Sequence, residues 1–405
     1  MGDQVTRGPA VRVVYAIATK VAGVGRGTTA YHGARGLYRH GMLQRVLCGA
    51  YRPSEIPDTL IRAVGLRDRV LRKLALYDRS GRVNTLQGRL FDAWAARHIE
   101  PADIFHTWEY SLRTMRRAKA LGMIVSLQLG APHPRHRNRL MTEEYARWGL
   151  RWPRPPGAVE QAVAEVENAD YIFYQSEFVG DTYLREGVPA HKLIQVRYGA
   201  DIERYRPATA AAAHPFRVLF LGQVGLRKGV LYLLEAWKHL GWRDAELWLV
   251  GNDDTEVRPL IEPYIDLPGV RRIGHQDDPI ATYQGADVFV LPSLDEDAAK
   301  VTYEALACGV PLVTTPNTGS IVEHGVQGFI VPVRDPAALA AALDQLRADD
   351  RLRHTMARAA RARAAQFTWD GYGDRFAEGL RGIMTRRASS KALALPAQAP
   401  PDVAQ

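Results

Sequence analysis

Cysteine is nearly absent from this chain. Its two cysteines, Cys48 and Cys308, are far apart, with no Cys-x-x-Cys pair and no histidine cluster at metal-ligand spacing. That excludes a disulfide framework and a structural zinc site, and a reducing, cytoplasmic setting is expected. Long apolar runs are missing too: no window approaches the roughly 20 uninterrupted apolar residues that a spanning helix needs. The first apolar run, Val11–Ala18, is short, carries Arg12 and has no small-residue cleavage site behind it, so it reads as a strand and not as a signal peptide. No Gly-x4-Gly-Lys-Ser/Thr pattern occurs, which excludes a Walker A loop. No finger, recognition helix or aromatic-basic repeat accompanies the charge, so nucleic acid is not an expected partner.

What is present suffices for two domains. The 405 residues hold two full cores at roughly 150 residues each, and 46% apolar content argues against a disordered chain. The formal charge of +9 is unevenly spread: residues 1–200 carry 30 basic and 18 acidic side chains, whereas 201–405 carry 23 and 26. Two halves with different surfaces follow. The last segment, 351–405, turns basic again with 10 against 4, and it is expected to return to the first half.

Apolar runs alternate with helical patterns, the mark of parallel sheets covered by helices on both faces. The expected strands are Val11–Ile17, Leu43–Leu47, Ile104–His106, Ile124–Leu127, Tyr171–Tyr174 and Leu193–Val196, followed by Arg217–Leu221, Glu246–Val250, Val270–Ile273, Val288–Leu291, Leu312–Thr314 and Phe329–Val331. Leu231–Leu240 and Ala337–Ala348 are among the helical patterns between them. The fold class is therefore α/β, with two doubly wound, Rossmann-like domains. A polar, Pro-bounded break at Arg204–Pro215 places the first domain over 1–205 and the second over 206–375. A helix over 376–388 is expected to return to the first domain, and a disordered tail to occupy 389–405, where Ala, Pro, Ser and Gln lack apolar periodicity.

Two segments carry the chemistry. Val288–Gly309 reads as a buried strand, a turn and a short helix closed by glycine, with Glu296 on the turn and Glu304 in the helix. Such a turn aims loop amides and the positive helix end at the carboxyl edge of a sheet, where phosphate is held. Glu304 would take vicinal hydroxyls of the ligand and Glu296 would reach its other end. Each also reads as a solvated helix charge worth well under about 1 kcal/mol. Val218–Gly229 is again a strand entering a glycine-punctuated loop, Gly222-Gln223-Val-Gly225-Leu-Arg227-Lys228-Gly229. Glycines let backbone approach an anion, and Arg227 and Lys228 supply charge for a diphosphate; an exposed basic loop is the alternative.

Together these segments resemble the C-terminal domain of family 4 glycosyltransferases, the large retaining group with the GT-B fold. Asn168–Val179, Lys192–Pro207, Asp287–Ser293 and Gly325–Pro332 resemble further signatures of that family, in order. The resemblance is strong over about 168–375 and weak over the first 150 residues. It implies a nucleotide-sugar donor on the second domain, an acceptor on the first, and reaction in the cleft between them. Glu304 would then bind the ribose hydroxyls, Glu296 would lie near the donor sugar, and Lys228 would hold the diphosphate. Gln223 stands where the family's arginine usually is, with Arg227 as its replacement. The family's Glu-Gly-Phe-Gly becomes Glu296-Asp297-Ala298-Ala299, which restricts φ and adds a carboxylate near an anionic donor, while the Ala298 and Ala299 amides would still face the sugar. Lys300 reads as a solvated lysine. Gly222, Ser293, Gly274 and His275 complete the expected donor set.

In the first domain, Gly25-Arg-Gly27-Thr-Thr-Ala30 fits a dinucleotide pattern, but its loop is long and no acidic residue follows the second strand, which argues against nicotinamide. The resemblance instead turns Gly25 and Gly27 toward the donor phosphate. His133 is expected as a sugar-contacting, catalytic residue beside Glu296 and Lys228, and His106 as structural. Three basic clusters, Arg62-Arg67-Arg69-Arg72-Lys73, Arg113-Arg116-Arg117-Lys119 and Arg135-Arg137-Arg139, each read as solvated faces. Their sum favours an anionic acceptor, such as a lipid-linked diphosphate sugar, and peripheral contact with an anionic membrane at its inner face. The expectation is a retaining glycosyltransferase of polysaccharide or glycoconjugate assembly that needs no metal or cofactor. A nucleotide-sugar epimerase on the same fold and a catalytically weakened binding protein are the alternatives.

Overall fold

The computed structural model describes residues 11–23, 25–65, 82–209 and 214–393. The first sheet contains β1 (Val13–Val21), β2 (Leu43–Tyr51), β3 (Ile61–Ala63), β4 (Ile104–Thr107), β5 (Ile124–Leu127), β6 (Tyr171–Tyr174) and β7 (Leu193–Gln195), in the order β3-β2-β1-β4-β5-β6-β7. The second contains β8 (Phe216–Leu221), β9 (Ala245–Val250), β10 (Val270–Gly274), β11 (Val288–Leu291), β12 (Leu312–Thr314) and β13 (Gly328–Ile330), ordered β10-β9-β8-β11-β12-β13. Pairing between neighbouring strands is parallel in both sheets. Parallel sheets need cover on both faces, which is why Val13–Ala16 and Val288–Leu291 are uninterrupted apolar runs with no exposed residue.

The cover comes from α1 (Arg26–Arg39), α2 (Arg82–His98), α3 (Leu112–Ala120), α4 (Pro134–Arg147), α5 (Ala158–Asn168) and α6 (Glu177–Arg185) in the first half. In the second it comes from α7 (Val230–Leu240), α8 (Arg258–Ile265), α9 (Ile280–Gln284), α10 (Lys300–Ala307), α11 (Pro336–Ala348) and α12 (Asp350–Ala365), followed by α13 (Trp369–Leu393). The chain thus adopts two doubly wound, Rossmann-like α/β domains. Strand β3 was not among the expected strands: three residues long on a sheet edge, with Arg62 exposed between half-buried Ile61 and Ala63, it has no apolar run to announce it.

Helix α13 corrects two expectations. It begins at Trp369, so the boundary at 375 falls inside it, and it continues to Leu393, beyond the start of the tail expected at 389. Residues 394–405 lie outside the described residues. Its return to the first domain rests on apolar packing together with basic side chains, Arg375, Arg386 and Arg387 donating to the Arg197, His191 and Gly122 carbonyls. Tyr372, Phe376, Ala377, Leu380 and Ile383 are fully buried, with the Phe376 ring 5.1 Å from Phe173 and 4.7 Å from His106. Arg35 and Arg39 of α1 pair with Asp370, an acidic residue of α13.

Two chain segments cross between the domains side by side. The Ala200 amide donates to the Phe367 carbonyl (2.9 Å), and a Cβ on Gly199 would collide with the Thr368 backbone. Strand order reverses between β1 and β4 in one sheet and between β8 and β11 in the other. Crevices open outside the carboxyl ends of strands at such reversals, which directs the loops after β1, β8 and β11 toward ligand. Among the described residues no helix is long and apolar enough to cross a membrane.

Candidate functional site

The loop after β8 closes in a 3-10 turn, Leu226–Lys228, and Gly229 then takes φ 70°. A side chain there would be strained and would run into the Pro292 carbonyl of the β11 loop, so the glycine is what lets the two loops lie against each other. The Leu294 amide donates to the Arg227 carbonyl (2.9 Å), tying them further. Arg227 donates through Nη1 to the Asp295 carbonyl (2.9 Å) and pairs with the Glu296 carboxylate. Lys228 Nζ lies 2.5 Å from the same Glu296 Oε1. Burial drives the Glu296 carboxyl up, but the positive charges of Arg227 and Lys228 outweigh it and hold it at about 2. Burial lowers the Lys228 ammonium, with Glu296 acting against that shift.

Across from these, the first domain presents Gly25, Arg26 and Thr29 at the start of α1, Gly130–Pro132 beyond β5, Arg137 on α4 and Tyr198. With Arg227, Lys228 and residues 295–301 they enclose a cleft of about 390 Å³ between the domains. Five cationic side chains line it, Arg26, Arg137, Arg227, Lys228 and Lys300, against three carboxylates, Asp295, Glu296 and Asp297. Asp295 is 1% exposed and pairs with Arg137 Nε at 2.8 Å, a bond between domains. Asp297 accepts from the Tyr198 hydroxyl at 2.7 Å, and burial followed by the Glu296 charge raises its pKa. The surplus of cations gives the cleft a net positive lining without any one residue deciding it.

Several expectations change in detail. Lys300 is not solvated: its Nζ donates to the Gly25 carbonyl and lies 3.4 Å from Thr29 Oγ1, bridging α10 to α1. The Ala299 amide donates to the Thr318 carbonyl (3.1 Å), so it is not free for a sugar hydroxyl, although Ala298 and Ala299 both line the cleft. Gly27 sits in the first turn of α1, where a Cβ would run into the Lys20 carbonyl, so it serves backbone packing and does not line the cleft. Gln223 is exposed and lines a smaller neighbouring cavity with Arg137, Arg227 and Lys228. Gly222 follows β8, its amide donating to the Val250 carbonyl (2.9 Å). Ser293 is buried just behind the cleft wall, with no partner for its Oγ.

Glu304 stands one helical turn below the mouth of the cleft, where Oε2 accepts from the Tyr283 hydroxyl (2.8 Å) and burial raises its pKa. Gly274 ends the edge strand β10 and His275 follows it, exposed and 3.4 Å from Asp277. The structure does not bring His133 into the cleft. It is 2% exposed and caps α4, with Nδ1 accepting from the Arg135 amide (3.3 Å) and the ring packed on Tyr183. Burial lowers its pKa to about 4. A residue just before Pro134 is extended and well placed to cap, which the sequence Pro132-His133-Pro134 already contained. His106 is structural, as expected: fully buried, 3.0 Å from Ser126 Oγ, and pushed by burial to about 3.

The residues that sequence reading missed are Arg26, Arg137, Tyr198 and Asp295. Arg137 was visible only as one of a basic triplet, and nothing separates it from Arg135 and Arg139 until α4 fixes its phase. Of the first basic cluster, Arg67, Arg69, Arg72 and Lys73 lie outside the described residues. Arg26, Ala131, Pro132 and Arg137 also border a second cavity, about 600 Å³, which lies within the first domain.

A model of the family described as glycosyl transferases group 1 matches residues 215–349, the second sheet and its flanking helices. A D-inositol 3-phosphate glycosyltransferase of Corynebacterium urealyticum is 30% identical over 249 residues, 54% of this chain and 58% of its own. The capsular polysaccharide biosynthesis glycosyltransferase CapM of Staphylococcus aureus is 32% identical over 167 residues, 38% and 44% of the two chains. The matched stretch thus spans about half the length of these curated relatives. Among solved structures, Anabaena Alr3699/HepE in complex with UDP and glucose superposes with a TM-score of 0.66 at 16% identity, over 92% of this chain and 100% of that one. WaaG, a glycosyltransferase involved in lipopolysaccharide biosynthesis, gives 0.65 at 16% identity, over 90% and 98%. Residues 215–349 match the family model of group 1 glycosyltransferases, and both domains share the architecture of these solved structures: the chain has the GT-B fold.

Proposed function

We propose that this chain transfers a sugar, with retention, from a nucleotide-sugar donor to a glycan acceptor. One observation carries the reading: Arg227, Lys228 and the amino end of α10 converge on a single interdomain cleft from one side, and Arg26 and Lys300 add charge beside them. A diphosphate placed there meets side-chain cations, which supports a reaction independent of metal. On binding, Arg227 and Lys228 exchange the Glu296 carboxylate for phosphate oxygens, and the helix end adds its positive dipole. As the sugar–oxygen bond breaks, charge grows on the departing diphosphate, and fixed cations in a water-poor cleft stabilise it. A phosphate oxygen takes the acceptor proton. Glu304 receives the ribose hydroxyls in exchange for the Tyr283 hydroxyl.

The acceptor is proposed to be an anionic, lipid-linked glycan. Helices α2 and α3 support this: Leu86 and Leu90 are about half exposed, at 49% and 51%, beside exposed Arg89, Arg113, Arg116 and Arg117, and neither helix carries an exposed acid. Apolar side chains among arginines suit an anionic bilayer at the inner, cytoplasmic face. Sedimentation with vesicles containing phosphatidylglycerol, but not with phosphatidylcholine alone, is the expected result.

The test of the activity is a thermal-shift series with UDP, GDP, ADP and TDP on the wild type and Lys228→Ala. One base stabilises the wild type and not the variant, and the corresponding nucleotide sugar is consumed only when acceptor is present. A new epimer formed from donor alone, or stabilisation by all four bases unchanged in Lys228→Ala, overturns the reading.

A further inference from the structure

The second cavity holds an arginine that forms no ion pair among the described residues. Arg154 lines it, its Nη1 is buried without a hydrogen-bond partner, and among the described residues no carboxylate reaches it. The other two arginines there are committed, Arg26 to Glu109 and Arg137 to Asp295. Arg154 is half-buried, and a single buried donor left unsatisfied, its Nη1, is already costly; the planar fork is shaped for carboxylate or phosphate. Arg154 is also held in place. It lies in Trp152-Pro153-Arg154-Pro155-Pro156, where Pro153 and Pro155 fix the backbone on either side, and its Cζ is 4.8 Å from the Trp152 ring centroid. The indole supports the cation and leaves its charge unneutralised. Nearby, Glu109 Oε2 and Thr19 Oγ1 are likewise buried without partners, ready to accept hydroxyl donors. One unmatched cation and two unmatched acceptors in a cavity that opens on the donor cleft through Arg137 and Pro132 describe a polyhydroxylated ligand bearing one negative group.

We propose that Arg154 is the specificity-determining residue of the acceptor site and that it reads a carboxylate or phosphate carried by the acceptor sugar. The inference rests on the transferase reading above, and it adds which residue recognises the charge and where. Arg154 acts on acceptor binding alone, because it stands outside the donor cleft.

The test uses the full chain saturated with the nucleoside diphosphate that stabilises it, so that a phosphorylated probe does not enter the donor site. Methyl α-D-glucoside, methyl α-D-glucuronide and glucose 6-phosphate are titrated by calorimetry into wild type, Arg154→Gln and Arg154→Lys. At least one charged probe is expected to bind wild type tenfold or more tightly than the neutral one, and the better of the two identifies carboxylate or phosphate. Arg154→Gln brings the ratio to within twofold, and Arg154→Lys restores part of it. Equal binding of all three probes to wild type, failure of both charged probes to bind, or full discrimination in Arg154→Gln overturns the proposal. Nucleoside diphosphate affinity, measured in the same samples, reports separately on the donor reading: it is unchanged in both variants if that reading holds, and its absence in wild type removes the donor reading alone.

Discussion

Lys228 Nζ and Arg227 Nη1 share one oxygen of Glu296, and the Lys228 and Glu296 side chains are each only 10% exposed. One carboxylate therefore engages two cations that the proposed donor would otherwise claim, and leaves a net positive charge. Removing one partner of a buried ion pair costs about 3–5 kcal/mol, because the remaining charge is stranded. Glu296→Gln is expected to lower the melting temperature and, at the same time, to tighten nucleoside diphosphate binding about tenfold, since the diphosphate no longer competes with Glu296. The ligand-induced rise in melting temperature should be larger in the variant than in wild type. An equal or smaller rise means that Arg227 and Lys228 do not meet the diphosphate.

Asp297 offers a second handle on the same charge balance. Its carboxylate accepts from Tyr198 and lines the cleft, where an anion would be repelled. At an effective dielectric near 20, a like charge a few ångströms away costs on the order of a few kcal/mol. Asp297→Asn keeps an oxygen for the Tyr198 hydroxyl and removes the charge. Nucleoside diphosphate affinity should rise by about tenfold or more, with the melting temperature of the free protein nearly unchanged. Weaker binding would show that Asp297 orients the ligand.

Most of the architecture was legible because a parallel sheet buries both faces and writes its strands as short apolar blocks. Val288–Leu291 and Ile124–Leu127 matched their expected bounds for that reason. Strand β3 was hidden because pairing with β2 alone asks little of Ile61-Arg62-Ala63. At the site, the loops bearing Lys228 and Glu296 were readable from glycine placement and strand-to-helix turns, which are local. Arg137, Asp295 and Tyr198 were not, since each gains its position from the other domain. Asp295 and Arg137 are 158 residues apart along the chain and 2.8 Å apart in space. His133 misled in the opposite direction: a histidine beyond a strand end has the composition of a catalytic residue, but Pro134 commits it to capping α4.

That cap has a pH signature. Burial lowers His133 to about 4 against an unfolded value near 6.5, so the unfolded chain takes up the proton first as pH falls. The stability from neutral, buried His133 is fully present above about pH 6.5 and is lost progressively as pH drops toward 4. His133→Asn supplies a side-chain oxygen for the Arg135 amide and cannot titrate. The variant should lose less stability than wild type between pH 6.5 and 4 in denaturant titrations, while donor turnover at pH 7.5 stays within about twofold. A loss of turnover of a hundredfold or more would return His133 to the catalytic set.

The crossing of α1 and α13 is where packing between the returning helix and the first domain is tightest. A Cβ on Gly36 would sit 2.5 Å from Gly373 Cα and 2.6 Å from its carbonyl oxygen, both backbone atoms with no flexible end to yield. In a helix, glycine to alanine by itself is favourable by roughly 0.5–1 kcal/mol. Overpacking against backbone costs about 1–3 kcal/mol, so the clash wins and Gly36→Ala should destabilise. Gly382 on the same helix α13 has nothing within 4 Å of its would-be Cβ, so only the favourable term remains. Gly382→Ala is therefore expected to raise the melting temperature slightly and Gly36→Ala to lower it. The opposite signs separate helix propensity from close approach, because the two substitutions are chemically identical. If Gly36→Ala is neutral, α13 is free to move off α1, and the buried stripe of Tyr372, Phe376 and Leu380 cannot be what anchors it to the first domain.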